Sequence, residues 1–406
     1  MAVGADFFPE MTAISGVRMG VACAGIKKPG RKDLVLFELS EQCTVAAVFT
    51  ANAFCAAPVT VAKQHLAVAT PRYLLINTGN ANAGTGDQGV SDALACCKGV
   101  VKNTGTTLPQ ILPFSTGVIG EKLPVDTLIN GIPAAYNALT ENGWAAAAEG
   151  IMTTDTRAKG ATASFDYQGA MINVSGISKG SGMICPNMAT MLAFVATDAD
   201  VGDTLLQEIV SHAAEKSFNR ITVDGDTSTN DACVLIASGT SAAPVVEKSN
   251  KVLYQGLVDA VTAVFKSLAH AIIRDGEGAT KFVTVTVEGG QTAAESLQVA
   301  YTIAHSPLVK TALFASDPNW GRILAAVGRA GLIELDVDSI NIYLDDVCIV
   351  ESGGVAATYT EAQGQAVMDQ QEILIRVELN RGDISETVWT TDLSHDYVSI
   401  NADYRS

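Results

Sequence analysis

Basic residues are scarce in this chain. Its 26 Lys and Arg stand against 43 Asp and Glu, a formal net charge of −17 over 406 residues. A surface of that sign repels DNA, RNA and anionic lipid on average, so nucleic-acid binding is excluded as a main role. Cysteine offers no framework either. The eight thiols (Cys23, Cys43, Cys55, Cys96, Cys97, Cys185, Cys233, Cys348) form no C-x-x-C pair, have no histidine at zinc-like spacing, and read as buried and reduced. The first 19 residues carry Asp6 and Glu10 and lack the unbroken apolar stretch of a signal peptide, and no run of about 18 apolar residues is evident. A cytoplasmic location is expected. Histidine is rare as well: His65, His212, His270, His305 and His395 are the whole supply of the usual general base.

What is present is apolar and intermixed. With 48% hydrophobic and 17% charged residues, the chain can bury one large core or two. Strand patterns occur at 33–39, 43–49, 72–77, 191–197, 232–237, 281–287 and 373–379. Helical stripes lie between them. The clearest joins Leu257, Val258, Val261, Val264, Phe265, Leu268 and Ile272; a second joins Leu205, Leu206, Ile209, Val210, Ala213 and Ala214, with Thr204 and Gln207 spaced as a capping box. A third runs through Val90, Leu94, Cys97 and Val101. Without strict βαβ alternation, the pattern predicts a layered α+β fold with mixed sheets.

Two motifs suggest other chemistry. The run Gly84-Thr-Gly86-Asp-Gln-Gly89 matches the dinucleotide fingerprint, but its strand ends several residues earlier and no acid follows at the ribose position, so it reads as a loop. The run Ile221-Thr-Val-Asp224-Gly-Asp226-Thr-Ser228 resembles the start of a magnesium-dependent phosphatase, with Asp224 as nucleophile. The later acidic pair needed for the metal is not evident, and as a calcium loop it fails because Thr229 holds the glycine position. A turn whose side chains bond their own backbone accounts for it.

The segment Lys179-Gly-Ser-Gly-Met-Ile-Cys-Pro-Asn-Met-Ala189-Thr190 is, on composition alone, a glycine turn, a proline and a strand start. It closely resembles the self-cleavage site of the ornithine acetyltransferase (ArgJ) family. The resemblance extends through Asn77-Thr-Gly-Asn-Ala-Asn82, Ser115-Thr-Gly-Val-Ile-Gly120, Met152-Thr-Thr-Asp-Thr156, Val223-Asp-Gly-Asp-Thr-Ser-Thr-Asn-Asp231, Arg274-Asp-Gly-Glu-Gly-Ala-Thr-Lys281, Asp317-Pro-Asn-Trp-Gly-Arg322 and the tail 397–406. Cys185 stands where the family has alanine and Ser406 where it has threonine; neither change removes a catalytic group.

That resemblance implies a layered αββα sandwich of the N-terminal-nucleophile-like kind, shared with the DmpA type. It implies cleavage between Ala189 and Thr190, giving an α chain 1–189 and a β chain 190–406 that stay together, doubled to a heterotetramer. Thr190 would be the nucleophile, its freed α-amine the base, and Thr116 with Gly117 the oxyanion hole. Substrate contacts would fall to Thr153, Lys179, Thr190, Glu277, Asn401 and Ser406. The implied reaction moves acetyl from N-acetylornithine to glutamate in arginine biosynthesis with no metal or resident cofactor. Bifunctional members of the family also take acetyl from acetyl-CoA, and no residue in the sequence decides between the two kinds.

Overall fold

The computed structural model describes residues 2–185 and 191–403. These fall into two compact units: a larger one formed by Phe7–Asn219 and Asp226–Ile272, and a smaller one formed by Met1–Asp6, Arg220–Gly225 and Ile273–Ser406. The larger unit takes chain from both sides of position 189/190, so the compact units are drawn differently from the two expected fragments.

In the larger unit two sheets lie face to face. One runs in the order Val17–Ala22, Leu34–Leu39, Tyr73–Asn80, Ile111–Val118, antiparallel until its last, parallel pair. The other runs Thr44–Phe49, Ala232–Ala237, Leu192–Thr197, Ala170–Lys179, Lys159–Tyr167, with one parallel pair at its centre. The period-2 alternation of a strand sorts side chains to opposite faces. Thus Val35, Phe37 and Leu39 enter the core between the sheets, while Leu34 and Leu36 enter a second core under the helices Gly86–Thr104 and Val125–Asn137. The near-continuous apolar run of Leu34–Leu39 reflects burial on both faces.

Three aromatic contacts fill the space between the sheets. Phe194 meets Phe37 at 5.3 Å and Phe114 at 5.2 Å between ring centroids, and Phe37 meets Trp144 at 6.1 Å. On the outer side of the five-stranded sheet lies the helix Asp203–Glu215. Helix, sheet, sheet and helix follow one another, which is the αββα layering expected.

The expected capping box at Thr204 does not form. The helix begins two residues earlier, with Gly202 as its N-cap, and Gln207 points its amide at the sheet instead. Its Nε2 donates to the Ala47 carbonyl (3.2 Å) and its Oε1 accepts from the Ala47 amide (3.4 Å), as a neighbouring strand would. The expectation about apolar length is also corrected. The helix Lys251–Arg274 is long and apolar enough to cross a membrane, with mean hydropathy 1.5, but more than half of that window is buried. Its stripe from Leu257 to Ile272 is core, with Phe265 against Phe218 at 5.3 Å.

The smaller unit has its own seven-stranded sheet, in the order Gly354–Val355, Val347–Glu351, Asn341–Leu344, Glu372–Glu378, Phe282–Gly290, Ile384–Thr391, Ile221–Thr222. Its core is separate. Val283, Val285, Ile342, Ile375 and Val377 pack under the helices Ala293–Ala304, Pro307–Phe314 and Trp320–Gly328.

Phe194 touches both flanking rings, so Phe194→Ala should open a cavity that neither sheet can close. A loss of about 3–5 kcal/mol in unfolding free energy is expected by urea titration, and a loss below about 1 kcal/mol would show that the sheets are not packed through this ring.

Candidate active site

The parallel pair Tyr73–Asn80 and Ile111–Val118 ends in a β-bulge. Thr78 lies opposite Thr116 and Gly79 opposite Gly117, after which Asn80 faces both Thr116 and Val118. The cause lies in Gly117, whose φ of 137° no side chain adopts readily, and where a Cβ would sit 2.3 Å from the Gly79 carbonyl carbon. A bulge re-aims the side chain beside it. Thr116, 8% exposed, accepts a hydrogen bond from the Lys179 ammonium at 3.2 Å.

Lys179 is the last residue of the strand Ala170–Lys179, and the turn after it is held by a buried acid. Asp155 Oδ1 accepts from the Gly180 amide (2.7 Å) and from Lys159 Nζ (2.6 Å), and Oδ2 accepts from the Thr153 amide (2.9 Å). Burial alone would raise the Asp155 carboxyl. The charges of Lys159 and Lys179, with these hydrogen bonds, outweigh burial and hold it well below the usual carboxylate range. Thr154 and Ser181 hydroxyls add a contact at 2.7 Å.

Asn230 joins the ends of the two sheets. Its Nδ2 donates to the carbonyls of Ala81 (2.6 Å) and Ser115 (2.9 Å), and Ser115 Oγ donates to Asn77 Oδ1 (2.6 Å). Beside it, Asp231 is buried, and its Oδ2 has no hydrogen-bond partner among the described residues. Burial pushes its pKa well above 3.8, against the pull of Ser228 hydrogen bonds and the Lys179 charge. The next residue, Ala232, donates its amide to the Met191 carbonyl (2.9 Å), so this buried acid stands at the start of the strand Leu192–Thr197.

Thr116, Gly117, Thr153 and Lys179 thus belong to the larger unit, and their hydrogen bonds link the two loops and the bulge. Glu277 and Asn401 belong to the smaller unit. Glu277 is 8% exposed and accepts from Asn401 Nδ2 at 2.8 Å. Ala189, Thr190 and Ser406 lie outside the described residues. Asp155, Asn230 and Asp231 were not singled out in the sequence although they stand inside its motifs; the signal available was a polar residue that the sheet register must bury.

The tempting motifs resolve into local structure. The helix Gly86–Thr104 opens inside the fingerprint-like run, and Gly89 leaves room for Asn82, whose Nδ2 donates to the Gly89 carbonyl (2.8 Å) and whose Oδ1 accepts from Thr85 (2.9 Å). Asp224 accepts a hydrogen bond from the Tyr397 hydroxyl at 3.2 Å. Among the described residues, no group of three or more His, Cys, Asp or Glu is placed to hold a metal ion. His305 contacts Thr222 at 3.0 Å and His65 contacts the Ile111 carbonyl at 2.6 Å, both outside the candidate catalytic residues.

A glycine bulge with a threonine hydroxyl, a lysine bonded to it and a mixed-sheet sandwich make up the candidate site. Comparison with known proteins narrows the class. The model of the ArgJ family matches residues 18–406. An arginine biosynthesis bifunctional protein ArgJ from Pseudomonas fluorescens is 59% identical over 406 residues, all of both chains; one from Methylococcus capsulatus is 57% identical over 397 residues, 98% of this chain and 97% of its own. A solved ArgJ structure from Bacillus halodurans is 36% identical, covering 50% of this chain and 95% of its own with a TM-score of 0.48. This chain belongs to the ArgJ family. That membership, rather than any property of Asp224, sets the phosphatase reading aside.

Asp231→Asn preserves size and removes the ionisation. Since the folded acid titrates above 3.8, the folded chain binds more protons than the unfolded one above that pH, and wild-type stability falls as pH rises toward the elevated value. The melting temperature of Asp231→Asn relative to wild type should therefore climb as pH rises above about 4. A gap that stays constant with pH would mean that burial does not raise the Asp231 pKa.

Proposed function

We propose that this chain is a self-processing acetyltransferase of arginine biosynthesis, transferring acetyl from N-acetylornithine to glutamate through an acetyl-Thr190 intermediate. The observation that carries the reading is full-length identity of 59% and 57% to two proteins named arginine biosynthesis bifunctional protein ArgJ. The word bifunctional in those names supports a second donor, acetyl-CoA, serving the same nucleophile. No metal or resident cofactor is required.

The chemistry follows from a threonine that becomes an N-terminus. Its hydroxyl attacks the Ala189 carbonyl, the acyl group shifts from nitrogen to oxygen, and water hydrolyses the ester to leave chains 1–189 and 190–406. The freed α-amine has a reference pKa of about 7.7 to 8.0, near working pH, so it can take the proton of its own hydroxyl without histidine. Donor acetyl then passes to Thr190, ornithine leaves, and glutamate removes the acetyl group.

Thr116, through its hydroxyl, and Gly117, through its amide, stabilise the oxyanion of each half-reaction. The Lys179 hydrogen bond to Thr116 supports this role, because a cation at the hydroxyl favours developing negative charge. Lys179 also takes the α-carboxylate that donor and acceptor share, with Thr153 beside it. Glu277 takes the cationic amine of ornithine, with Asn401 and Ser406 as further contacts. Both fragments stay associated, paired into a heterotetramer in the cytoplasm.

Intact mass decides the first part. Wild type should appear as 1–189 and 190–406, Thr190→Ala should remain one chain, and N-acetylornithine alone should add one acetyl mass to the 190–406 fragment, discharged by glutamate. Uncleaved wild type with full activity would overturn the mechanism.

Thr116→Ala tests the oxyanion assignment. Its kcat should fall on the order of 100- to 1000-fold with the protein folded and processed. Turnover equal to wild type would assign the oxyanion to other donors.

A further inference from the structure

Around the Lys179 turn, three backbone and side-chain donors converge on one acid, Asp155, given no role from the sequence alone. Asp155 and Lys159 form an ion pair at 2.6 Å, with side chains 0% and 1% exposed. Burying two charges is expensive, and such a pair is seldom better for stability than an apolar pair of the same size. Stability is thus a weak reason for its presence. Its hydrogen bonds supply a stronger one.

The two oxygens of Asp155 are divided between two loops. Oδ2 takes the Thr153 amide; Oδ1 takes the amide of Gly180, the residue after Lys179. The Thr153 loop is gripped from its other side by Arg31, whose Nη2 donates to the carbonyls of Met152 (2.8 Å) and Thr153 (2.9 Å). Gly180 leaves the strand at φ 149°, and a Cβ there would come to 3.0 Å from the Ile184 side chain. Strand pairing no longer holds the backbone where Lys179 ends its strand. The buried carboxylate takes over, and Lys159 matches its charge in the interior.

We infer that Asp155, with Lys159 as its buried counter-ion, is the positioning residue that sets Thr153 and Lys179 in the mutual arrangement which receives the α-carboxylate of both amino-acid substrates. This rests on the proposed roles of Thr153 and Lys179. Asp155 acts through them and not on the reacting atoms. Carboxylate binding is made alike in ground and transition states, so its loss should appear in KM and leave kcat nearly intact. A purely structural role would lower the folded fraction, and with it kcat, at unchanged KM.

Two variants make the test. Asp155→Asn keeps the shape but exchanges one acceptor oxygen for a donor, so one of the two backbone amides loses its partner and Lys159 loses the charge of Asp155. The double variant Asp155→Asn with Lys159→Met removes both charges together, and it serves if the single variant fails to fold. Initial rates are measured with N-acetylornithine and glutamate, normalised to the cleaved fraction seen by intact mass. The expected result is a KM raised on the order of tenfold for both substrates, with kcat within about threefold of wild type. An unchanged KM for either substrate, with kcat reduced in step with the folded fraction, overturns the inference. Failure of the underlying reading shows separately, as a wild type that transfers no acetyl group.

Discussion

The constraint behind the larger unit is that two sheets meet through a dry, apolar interior, so whatever aligns their ends must be polar and buried. Aromatic contact between Phe37, Phe114 and Phe194 presses the sheets together but is tolerant of sliding. Direction comes from Asn230. Its amide donates to the carbonyls of Ala81 and Ser115, two places on the four-stranded side, from a position two residues before the strand Ala232–Ala237 of the other sheet. A buried amide with its hydrogen bonds made is stable in one geometry and costly in others. The carbonyl it holds at Ser115 belongs to the residue before Thr116, so alignment of the sheets and aim of the bulge are one event.

Much of this fold was legible because strand and helix periodicities differ. All seven strand patterns are strands, displaced by at most a few residues at their ends, and all three apolar stripes are helices. Misreadings arose where a polar side chain had two uses. Thr204 and Gln207 carry the spacing of a capping box, yet the Gln207 amide meets its needs at the Ala47 backbone, a tertiary partner that local spacing cannot reveal. In the same way, the length and hydropathy of Lys251–Arg274 do not say whether its apolar stripe faces lipid or protein. The separate seven-stranded core was hidden for another reason. Its strands come from 221–222 and from the last third of the chain, and a two-residue strand has no period to read.

The candidate site was legible only in part, and for a chemical reason. Thr116 and Gly117 sit in a short run whose composition is that of any turn; what distinguishes Gly117 is a backbone 2.3 Å from where its Cβ would be, a fact of register and not of sequence. Family resemblance supplied these two residues. It gave no role to Asp155, Asn230 or Asp231, although Asp155 reaches Gly180 across 25 residues, Asn230 reaches Ser115 and Ala81 across 115 and 149, and Asp231 leaves an oxygen without a partner among the described residues. Motif matching weights what repeats between relatives, while burial and hydrogen-bond accounting weight what the fold must satisfy.

Charge at two scales explains how an acidic chain can suit anionic amino acids. A net −17 opposes any carboxylate at long range, but the Debye length near physiological salt is about 8 Å, so most of that field is screened before a substrate reaches the surface. Inside the larger unit screening is weak, and position counts. Lys179 lies near two acids there. Were both ionised and unmatched, its field would be cancelled. Instead Lys159 matches Asp155 at 2.6 Å, while burial raises the pKa of Asp231 and so disfavours its charged form. A buried ion pair and a buried acid whose charged form burial disfavours, each unfavourable by itself, together weaken the opposition that these two carboxyl groups offer to the charge at Lys179. Local positive potential then comes from suppressing nearby acids and requires no excess of bases.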